Sequence, residues 1–191
     1  MKRLRRAFAK RVKQELNPQL KHLKFIDEMG TNLGQTRLMG RAAPGERVVE
    51  ATPGYSGTHY TVVAALGRNG VHAPWVLEGP MTSATFEIYV KQVLAPTLRV
   101  GDMVITDNLS AHKSAAVRSA IEARHAQLVF LPPYSPDFNP IELCWSKVKT
   151  ALRAAKARTD AALMQALLDA FDSVVRSDIQ AWFAHDGYVL S

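Results

Sequence analysis

The amino-acid sequence predicts an α/β protein in which a mixed sheet is flanked by helices. In the first half, short apolar segments are separated by turn signals, as in an antiparallel meander. From Phe86 onward the hydrophobic pattern changes to a helical period and then alternates between helix and strand. Hairpin strands followed by such alternation favour a mixed sheet. Several α/β folds satisfy this order.

The first half contains four candidate strands after a basic start. Residues 1–20 are expected to form a basic helix or a flexible lead-in that ends near Asn17 and Pro18. The hairpin turn is expected at Gly67-Arg68-Asn69-Gly70, because an Asn-Gly pair favours a tight turn between strands. The strand segments are HLKFIDE, RVVEAT, HYTVVAAL and HAPWVLEG.

The second half alternates between helices and strands. Helices are expected around Phe86–Leu94 and Val117–Arg124, and the apolar segments DMVITDN and QLVFLPP between and after them are expected to be strands. The chain is predicted to be helical from Ile141 onward, and Thr159 can cap a further helix. The core side of that helix is Leu163, Ala166, Leu167, Ala170, Phe171 and Val174.

Composition excludes several classes of protein. Hydrophobic residues make up 47% of the 191 residues, which argues against general disorder. No apolar run is long enough for a membrane span or a secretory signal. Cys144 is the only cysteine, so a disulfide framework and a cysteine zinc site are both excluded, and a reducing, cytoplasmic location is expected.

The net charge of +7 favours a polyanionic partner. Positive charge is concentrated at the start of the chain, where a solvated basic helix and a nucleic-acid-binding arm are both compatible with the pattern. The residues are Lys2, Arg3, Arg5, Arg6, Lys10, Arg11, Lys13, Lys21 and Lys24.

Two candidate strands end in an aspartate, Asp27 in FIDE and Asp107 in MVITDN. A carboxylate at the end of a buried strand is costly unless it is solvated, paired or bound to a metal. Each strand could simply emerge into solvent there. Two such residues on separate strands also fit a ligand site, since ligands often bind beyond strand ends in α/β sheets.

Glu142 is the third acidic candidate. Asn139 is the predicted N-cap, Pro140 suits the first helical position, and Glu142 falls third, where it could instead complete a capping box. Along the helix, one stripe begins with the acid and continues through a hydroxyl and two cations, which suits a metal site that opens onto a phosphate backbone. Its members are Glu142, Ser146, Lys149 and Arg153.

Three carboxylates without a histidine or cysteine cluster fit magnesium chemistry. Mg²⁺ takes oxygen ligands and keeps several waters. Two such ions, about 3.5–4 Å apart, can make a water more acidic and neutralise a leaving oxygen during phosphodiester cleavage.

The segments TDNLSAHK and LVFLPPYSPDFNPIELCWSKVK resemble the catalytic core of bacterial insertion-sequence transposases of the mariner superfamily. TRLMGRAAPGERV also resembles this family, and the resemblance extends over roughly residues 22–188. It implies a ribonuclease-H-like fold with a five-stranded mixed sheet. It further implies an Asp-Asp-Glu triad of Asp27, Asp107 and Glu142 that binds two Mg²⁺ or Mn²⁺ ions. The 34 residues between Asp107 and Glu142 match the spacing of the bacterial branch.

The family's second motif also contains His112 and Lys113. His112 is expected either to contact the scissile region or a DNA phosphate or to be polar surface, and Lys113 is expected to contact a phosphate. Lys149 and Arg153, on the same helix stripe as Glu142, are also expected to contact DNA. Arg37, Arg41 and Arg47 flank an early turn and either contact DNA or are solvated. The residues expected to stiffen the loop that delivers Glu142 are Pro132, Pro133, Tyr134, Pro136 and Asn139.

The implied function is hydrolysis of DNA at transposon ends followed by strand transfer into a TA-containing target. Implied partners are transposon-end and target DNA and a second copy of the chain, with no membrane, in a bacterial, nucleoid-associated setting. Residues 1–21 are interpreted as a lead-in and residues 22–191 as the catalytic domain. The family's N-terminal helix-turn-helix region is expected to be absent, supplied by a separate polypeptide or by frameshifting. Two alternatives are a non-catalytic DNA-binding remnant and another ribonuclease-H-like nuclease.

Overall fold

The structure, a computed structural model, describes residues 2–189. Met1, Leu190 and Ser191, at the outer ends of the predicted ranges 1–21 and 22–191, lie outside the described residues. Within residues 2–189, five strands form one mixed sheet in the order β3-β2-β1-β4-β5. The five-stranded mixed sheet implied by the family resemblance is thus confirmed. The strands are β1 (Leu23–Asn32), β2 (His59–Gly67), β3 (Gly70–Glu78), β4 (Met103–Thr106) and β5 (Gln127–Phe130).

Strand direction changes at β1, in the middle of the sheet. β1 pairs antiparallel with β2 and β2 antiparallel with β3. On the other side, β1 pairs parallel with β4 and β4 parallel with β5. The predicted hairpin turn is confirmed: Gly67 pairs with Gly70, and Gly70 has a φ of 139°, which favours glycine. Pro74 lies on β3, an edge strand, where a missing amide proton is tolerated.

Helices cover both faces of the sheet, and each face has its own apolar core. On one face Phe25 packs with Ile141 and Trp145, and on the other Ile26 packs with Phe86 and Val117. The helices expected after β3, after β4 and behind the Thr159 cap are all present. The α-helices of the described residues are α1 (Lys2–Arg11), α2 (Ser83–Tyr89), α3 (Ala115–Glu122), α4 (Ile141–Ala155), α5 (Asp160–Asp172) and α6 (Arg176–His185).

The basic start of the chain is helical, one of its two expected forms. After α1 the chain continues through a π-helical turn, Val12–Leu16, and a 3-10 segment, Asn17–His22. Phe8, Val12 and Leu16 are buried in the core that also contains α4. The cationic side chains therefore lie on the outer side of a helix whose apolar side belongs to the main fold.

The strand predicted for RVVEAT is wrong. Residues 33–58 contain no strand, and Val49 is 85% exposed. A strand needs a partner ladder and one buried face. Both edges of β1 are occupied by β2 and β4, and this segment pairs with neither outer strand. It is tied to the protein by an ion pair between Glu50 and Lys156 and by hydrogen bonds from Arg158 to the carbonyls of Leu33 and Gln35.

Over residues 2–189, none of the helices combines the length and the apolar character needed to cross a lipid bilayer.

Candidate functional site

Asp27 and Asp107 are brought level by the parallel pairing of β1 with β4. Phe25 pairs with Ile105, the last paired residues of the two strands. Asp27 and Asp107 each lie two residues further along, so the two carboxylates start from neighbouring strands at the same height. Backbone hydrogen bonding of the sheet sets this juxtaposition.

Glu142 reaches the same place from the first turn of α4. A loop of residues 131–140 connects β5 to α4, and the apolar side of α4 packs on β1 through Ile141, Trp145 and Val148. The carboxylate of Glu142 is on the exposed side of the helix. Within residues 2–189 it makes no hydrogen bond, so the capping-box alternative does not hold in this structure.

The prediction that Asn139 caps α4 is wrong. Pro140 already has helical backbone angles, φ −56° and ψ −22°, and no side chain caps the helix. The Asn139 carbonyl accepts a hydrogen bond from the Glu142 amide at 3.0 Å. Its side chain is 3% exposed, and its Oδ1 has no hydrogen-bond partner among the described residues. An orphaned oxygen at this depth is costly unless a ligand satisfies it.

The three carboxylates line one cavity of about 330 Å³. The five residues predicted to form a stiff loop line the same cavity. Tyr134 has a φ of 52° and its ring is exposed, whereas Ser135 is buried. These loop residues are Pro132, Pro133, Tyr134, Pro136 and Asn139.

The acids repel one another in this cavity. Burial raises the pKa of Asp27 well above its usual range, and the negative charge of Glu142 raises it further. Asp107 behaves in the opposite way. Burial alone would raise its pKa, but hydrogen bonds from His112 and from the Leu109 amide outweigh burial, so the pKa of Asp107 is lowered. Asp107 is therefore held ionised, whereas Asp27 ionises readily only if a cation compensates it.

His112 does not lie at the surface as a DNA contact would. It is 1% exposed and bridges two carboxylates. Its Nδ1 lies 2.6 Å from Asp107 Oδ1, and its Nε2 lies 3.0 Å from Glu28 Oε1. Burial alone would lower its pKa, but these two carboxylates raise the pKa of His112 to about 9. The doubly protonated ring donates to both acids and lies 4.1 Å from the Phe86 ring.

Arg5 of α1 braces the loop that carries Glu142. Its guanidinium donates to Asp137 Oδ1 at 2.9 Å and to Asp137 Oδ2 at 2.5 Å. It also donates to Ser135 Oγ at 2.9 Å and to the Tyr134 carbonyl at 3.2 Å. The same group lies 5.3 Å from the centre of the Phe138 ring, which packs against Phe8. The N-terminal helix is therefore part of the support of the site.

The other predicted DNA contacts are on the surface. Lys113 is exposed, and Lys149 and Arg153 are partly exposed on α4. Arg37, Arg41 and Arg47 are exposed on the segment of residues 33–58, and among the described residues no hydrogen bond or ion pair joins their side chains to the cavity.

The donor set fits a hard divalent cation. All of its donors are oxygens: three carboxylates and the unpartnered Oδ1 of Asn139. Between residues 2 and 189, no three acidic, histidine or cysteine side chains are placed so that they could together hold a metal ion in this structure. Mg²⁺ keeps several of its waters, so it needs fewer protein ligands than a complete protein cage provides.

Sequence reasoning missed two supporting residues. Glu28 could have been noticed because it follows Asp27 directly, although adjacent strand residues point to opposite faces. Arg5 carried no such signal, because its partner Asp137 is 132 residues away.

Comparison with known proteins places this geometry in a family. Residues 22–164 match the DDE superfamily endonuclease family. A relative, the transposable element Tc1 transposase of Caenorhabditis elegans, is 36% identical over 73 residues, covering 38% of this chain and 27% of that protein.

Solved structures with a similar fold come from the Mos1 transposase. A paired-end complex with the left transposon end has a TM-score of 0.69 at 18% identity, covering 99% of this chain and 62% of that chain. The Mos1 catalytic domain with Raltegravir and Mg has a TM-score of 0.67 at 14% identity, covering 97% of this chain and 89% of that chain. The fold is thus ribonuclease-H-like, as expected. With its family match over most of its length, the chain belongs to the DDE superfamily of endonucleases.

Proposed function

We propose that this chain is the catalytic part of a cut-and-paste DNA transposase, which hydrolyses DNA at transposon ends and transfers the freed end to target DNA. The observation that carries the proposal is the cavity shared by Asp27, Asp107 and Glu142. Family membership supports the nuclease activity, and similarity to Tc1 and Mos1 favours transposition over other endonuclease functions. The motif resemblance supports an origin in a bacterial insertion sequence with a TA-containing target.

Asp27, Asp107 and Glu142 would hold two Mg²⁺ or Mn²⁺ ions, with Asn139 Oδ1 available to a coordinated water. When bound, such ions acidify the attacking water and neutralise the leaving oxygen. The structure of the Mos1 catalytic domain with Mg supports this choice of ion. Cation binding also offsets the repulsion that raises the pKa of Asp27.

The protein itself supplies orientation. His112 donates to Oδ1 of Asp107, which fixes the carboxylate plane and leaves the other oxygen free for a ligand. Glu28 accepts from the opposite ring nitrogen and fixes the ring. The loop of residues 131–140, braced by Arg5, sets the height of Glu142 relative to the strand ends.

DNA is the proposed substrate, approaching from the exposed side of α4. Lys149 and Arg153 follow Glu142 along that helix and would contact phosphates, as would Lys113. Arg37, Arg41 and Arg47 would contact DNA from the segment of residues 33–58. The chain spans 27% of the Tc1 protein and 62% of the Mos1 chain, so transposition and the pairing of two copies on DNA are proposed from the likeness of a part.

The test is nicking of supercoiled plasmid in Mg²⁺ or Mn²⁺, with wild type, Asp107→Asn and the matched control Asp172→Asn. Asp172 is an exposed acid at the end of α5, so its replacement changes the net charge equally. We expect Asp107→Asn to lower the nicking rate at least about 100-fold, because a metal-holding carboxylate is lost. Asp172→Asn should nick like wild type.

Three outcomes would overturn the proposal. Equal nicking by Asp107→Asn and wild type would show that Asp107 does not serve the reaction. DNA binding with no metal-dependent cleavage, even of a pre-nicked transposon end, would indicate a non-catalytic DNA-binding remnant. Preferential cleavage of the RNA strand in an RNA–DNA hybrid would indicate another ribonuclease-H-like nuclease.

A further inference from the structure

A second, larger cleft lies at the opposite end of the parallel strands from the acidic cavity. Its volume is about 820 Å³. Asp102, just before β4, lines this cleft, and Asp107, just after β4, lines the acidic cavity. The four residues of β4 lie between them, so the two aspartates are about 16 Å apart along the strand. The β2–β3 turn and the start of α6 complete the walls.

The cleft carries a strong excess of positive charge. Five cationic side chains line it, and Asp102 is its single acidic lining residue. Asp102 is 3% exposed and already engaged: its Oδ1 lies 3.3 Å from His22 Nδ1, and its Oδ2 accepts from the Arg99 amide at 3.0 Å. Within residues 2–189, none of the five cations forms an ion pair. The five are Lys21, Lys24, Arg68, Arg99 and Arg176.

The floor of the cleft is built around Lys24. Its Nζ lies 3.5 Å from Asn69 Oδ1, which also lies 2.8 Å from His72 Nε2. A Cβ at Gly67 would come within 2.8 Å of that Nζ, so glycine leaves the space that the lysine occupies. Burial lowers the pKa of Lys24, and the charge of Arg99 lowers it further, while Asp102 opposes both. A cation placed against other cations is stabilised when an anion joins them.

We propose that this cleft binds the phosphate backbone of DNA at a second site, remote from the bond that is cut. It rests on the proposed function for the choice of DNA as the ligand. The cleft is open and mixes lysine point charges with arginine forks, a combination that holds phosphates without reading bases. Each lysine or arginine that neutralises a phosphate steepens the slope of log affinity against log salt concentration by about 0.9.

The distance between the basic cleft and the acidic cavity determines what the cleft contributes to DNA binding. When one duplex lies across the acidic cavity, the basic cleft is occupied either by a different stretch of that duplex's backbone or by a second duplex. The cleft therefore contributes affinity and orientation, and the bond-breaking step does not depend on it.

The test measures DNA affinity in EDTA, where no cleavage occurs, by fluorescence anisotropy of a labelled duplex at about 50–200 mM salt. The cleft variant is Lys21→Gln/Arg99→Gln/Arg176→Gln, whose three side chains are exposed and make no hydrogen bond within residues 2–189. The matched control is Lys10→Gln/Lys13→Gln/Arg124→Gln, three exposed cations outside both clefts whose side chains likewise make no hydrogen bond within residues 2–189. Both variants lower the net charge equally. A second cleft variant, Lys24→Gln, probes the floor.

We expect the cleft variant to weaken DNA binding about tenfold and to lower the salt slope by about 2 to 3. The control should change affinity less than about twofold at the same salt. Single-turnover nicking at saturating DNA should be unchanged in the cleft variant, which separates this proposal from the proposed function. Equal weakening by both triple variants would overturn it, because only overall charge would then matter. Binding of inorganic phosphate that Lys24→Gln abolishes, with wild-type DNA affinity in both cleft variants, would instead assign the cleft to a free anion.

Discussion

The acidic cavity is built in two different ways on its two sides. Asp27 and Asp107 come from adjacent strands, and the backbone ladder between β1 and β4 sets their separation. Glu142 comes from a loop and the start of a helix, and side chains hold that loop in place. The strand side is defined by local register, whereas the loop side depends on contacts with the first ten residues of the chain.

The free-energy cost of placing the carboxylates therefore has a different origin on each side: electrostatic repulsion on the strand side and ordering of the chain on the loop side. On the strand side, positions are fixed and the cost is repulsion among half-buried acids, partly relieved by His112. On the loop side, Glu142 is exposed and the cost lies in ordering the residues that carry it. Substitutions on the two sides should therefore have different signatures.

The largest effect is expected for Asp27→Asn on the strand side. Nicking should fall at least about 100-fold because a metal-holding carboxylate is lost. Without metal, the same change should stabilise the protein at pH 9 by about 1–3 kcal/mol, because a buried charge beside Glu142 is removed. The measurements are plasmid nicking and urea unfolding in EDTA. Asp172→Asn is the control in both, and a loss of metal-free stability in Asp27→Asn would contradict the assignment of repulsion to this side.

A pH series tests how far protonated His112 offsets the repulsion among the acids on the strand side. The pKa of His112 is raised to about 9 from its usual 6.5, so its stabilisation is complete below pH 6.5 and is lost as the pH rises through 9. We expect up to about 3 kcal/mol of such loss. Asp27, whose pKa is also raised, changes stability in the same direction, so wild type is compared with His112→Gln by urea unfolding in EDTA. The difference between the two proteins should shrink from pH 6 to pH 10, and parallel curves would show that the bridge contributes nothing.

The strand side was largely predictable from the sequence. Asp27 and Asp107 each end an apolar run, and period and turn residues predicted the sheet around them. Failures occurred where tertiary contacts override local signals. RVVEAT has the composition of a strand but finds no partner, and Asn139 precedes a helix but turns its side chain into the cavity.

The loop side could not be predicted because its support is distant in sequence. A cluster of cations at residues 2–13 has the same composition whether it is solvated, binds DNA or braces a loop. Only the fold shows that Phe8 is buried and that, within the described residues, Arg5 is the basic side chain of α1 that hydrogen-bonds the loop. His112 shows the same limit, since no local pattern distinguishes a surface histidine from one held between two acids.

The smallest effect is expected for Arg5→Ala on the loop side, and it distinguishes a brace from a DNA contact. Its ion pair with Asp137 is partly solvent-exposed, so its loss should lower the stability of the protein only slightly. Nicking should still fall about 3- to 10-fold, because a small displacement of Glu142 is enough to slow the reaction. Arg6→Ala is the matched control, since Arg6 is exposed and its side chain makes no hydrogen bond within residues 2–189. DNA affinity in EDTA should be alike in the two variants. If Arg6→Ala slows nicking and weakens binding as much as Arg5→Ala does, α1 acts on DNA through its charge, and the loop is ordered without it.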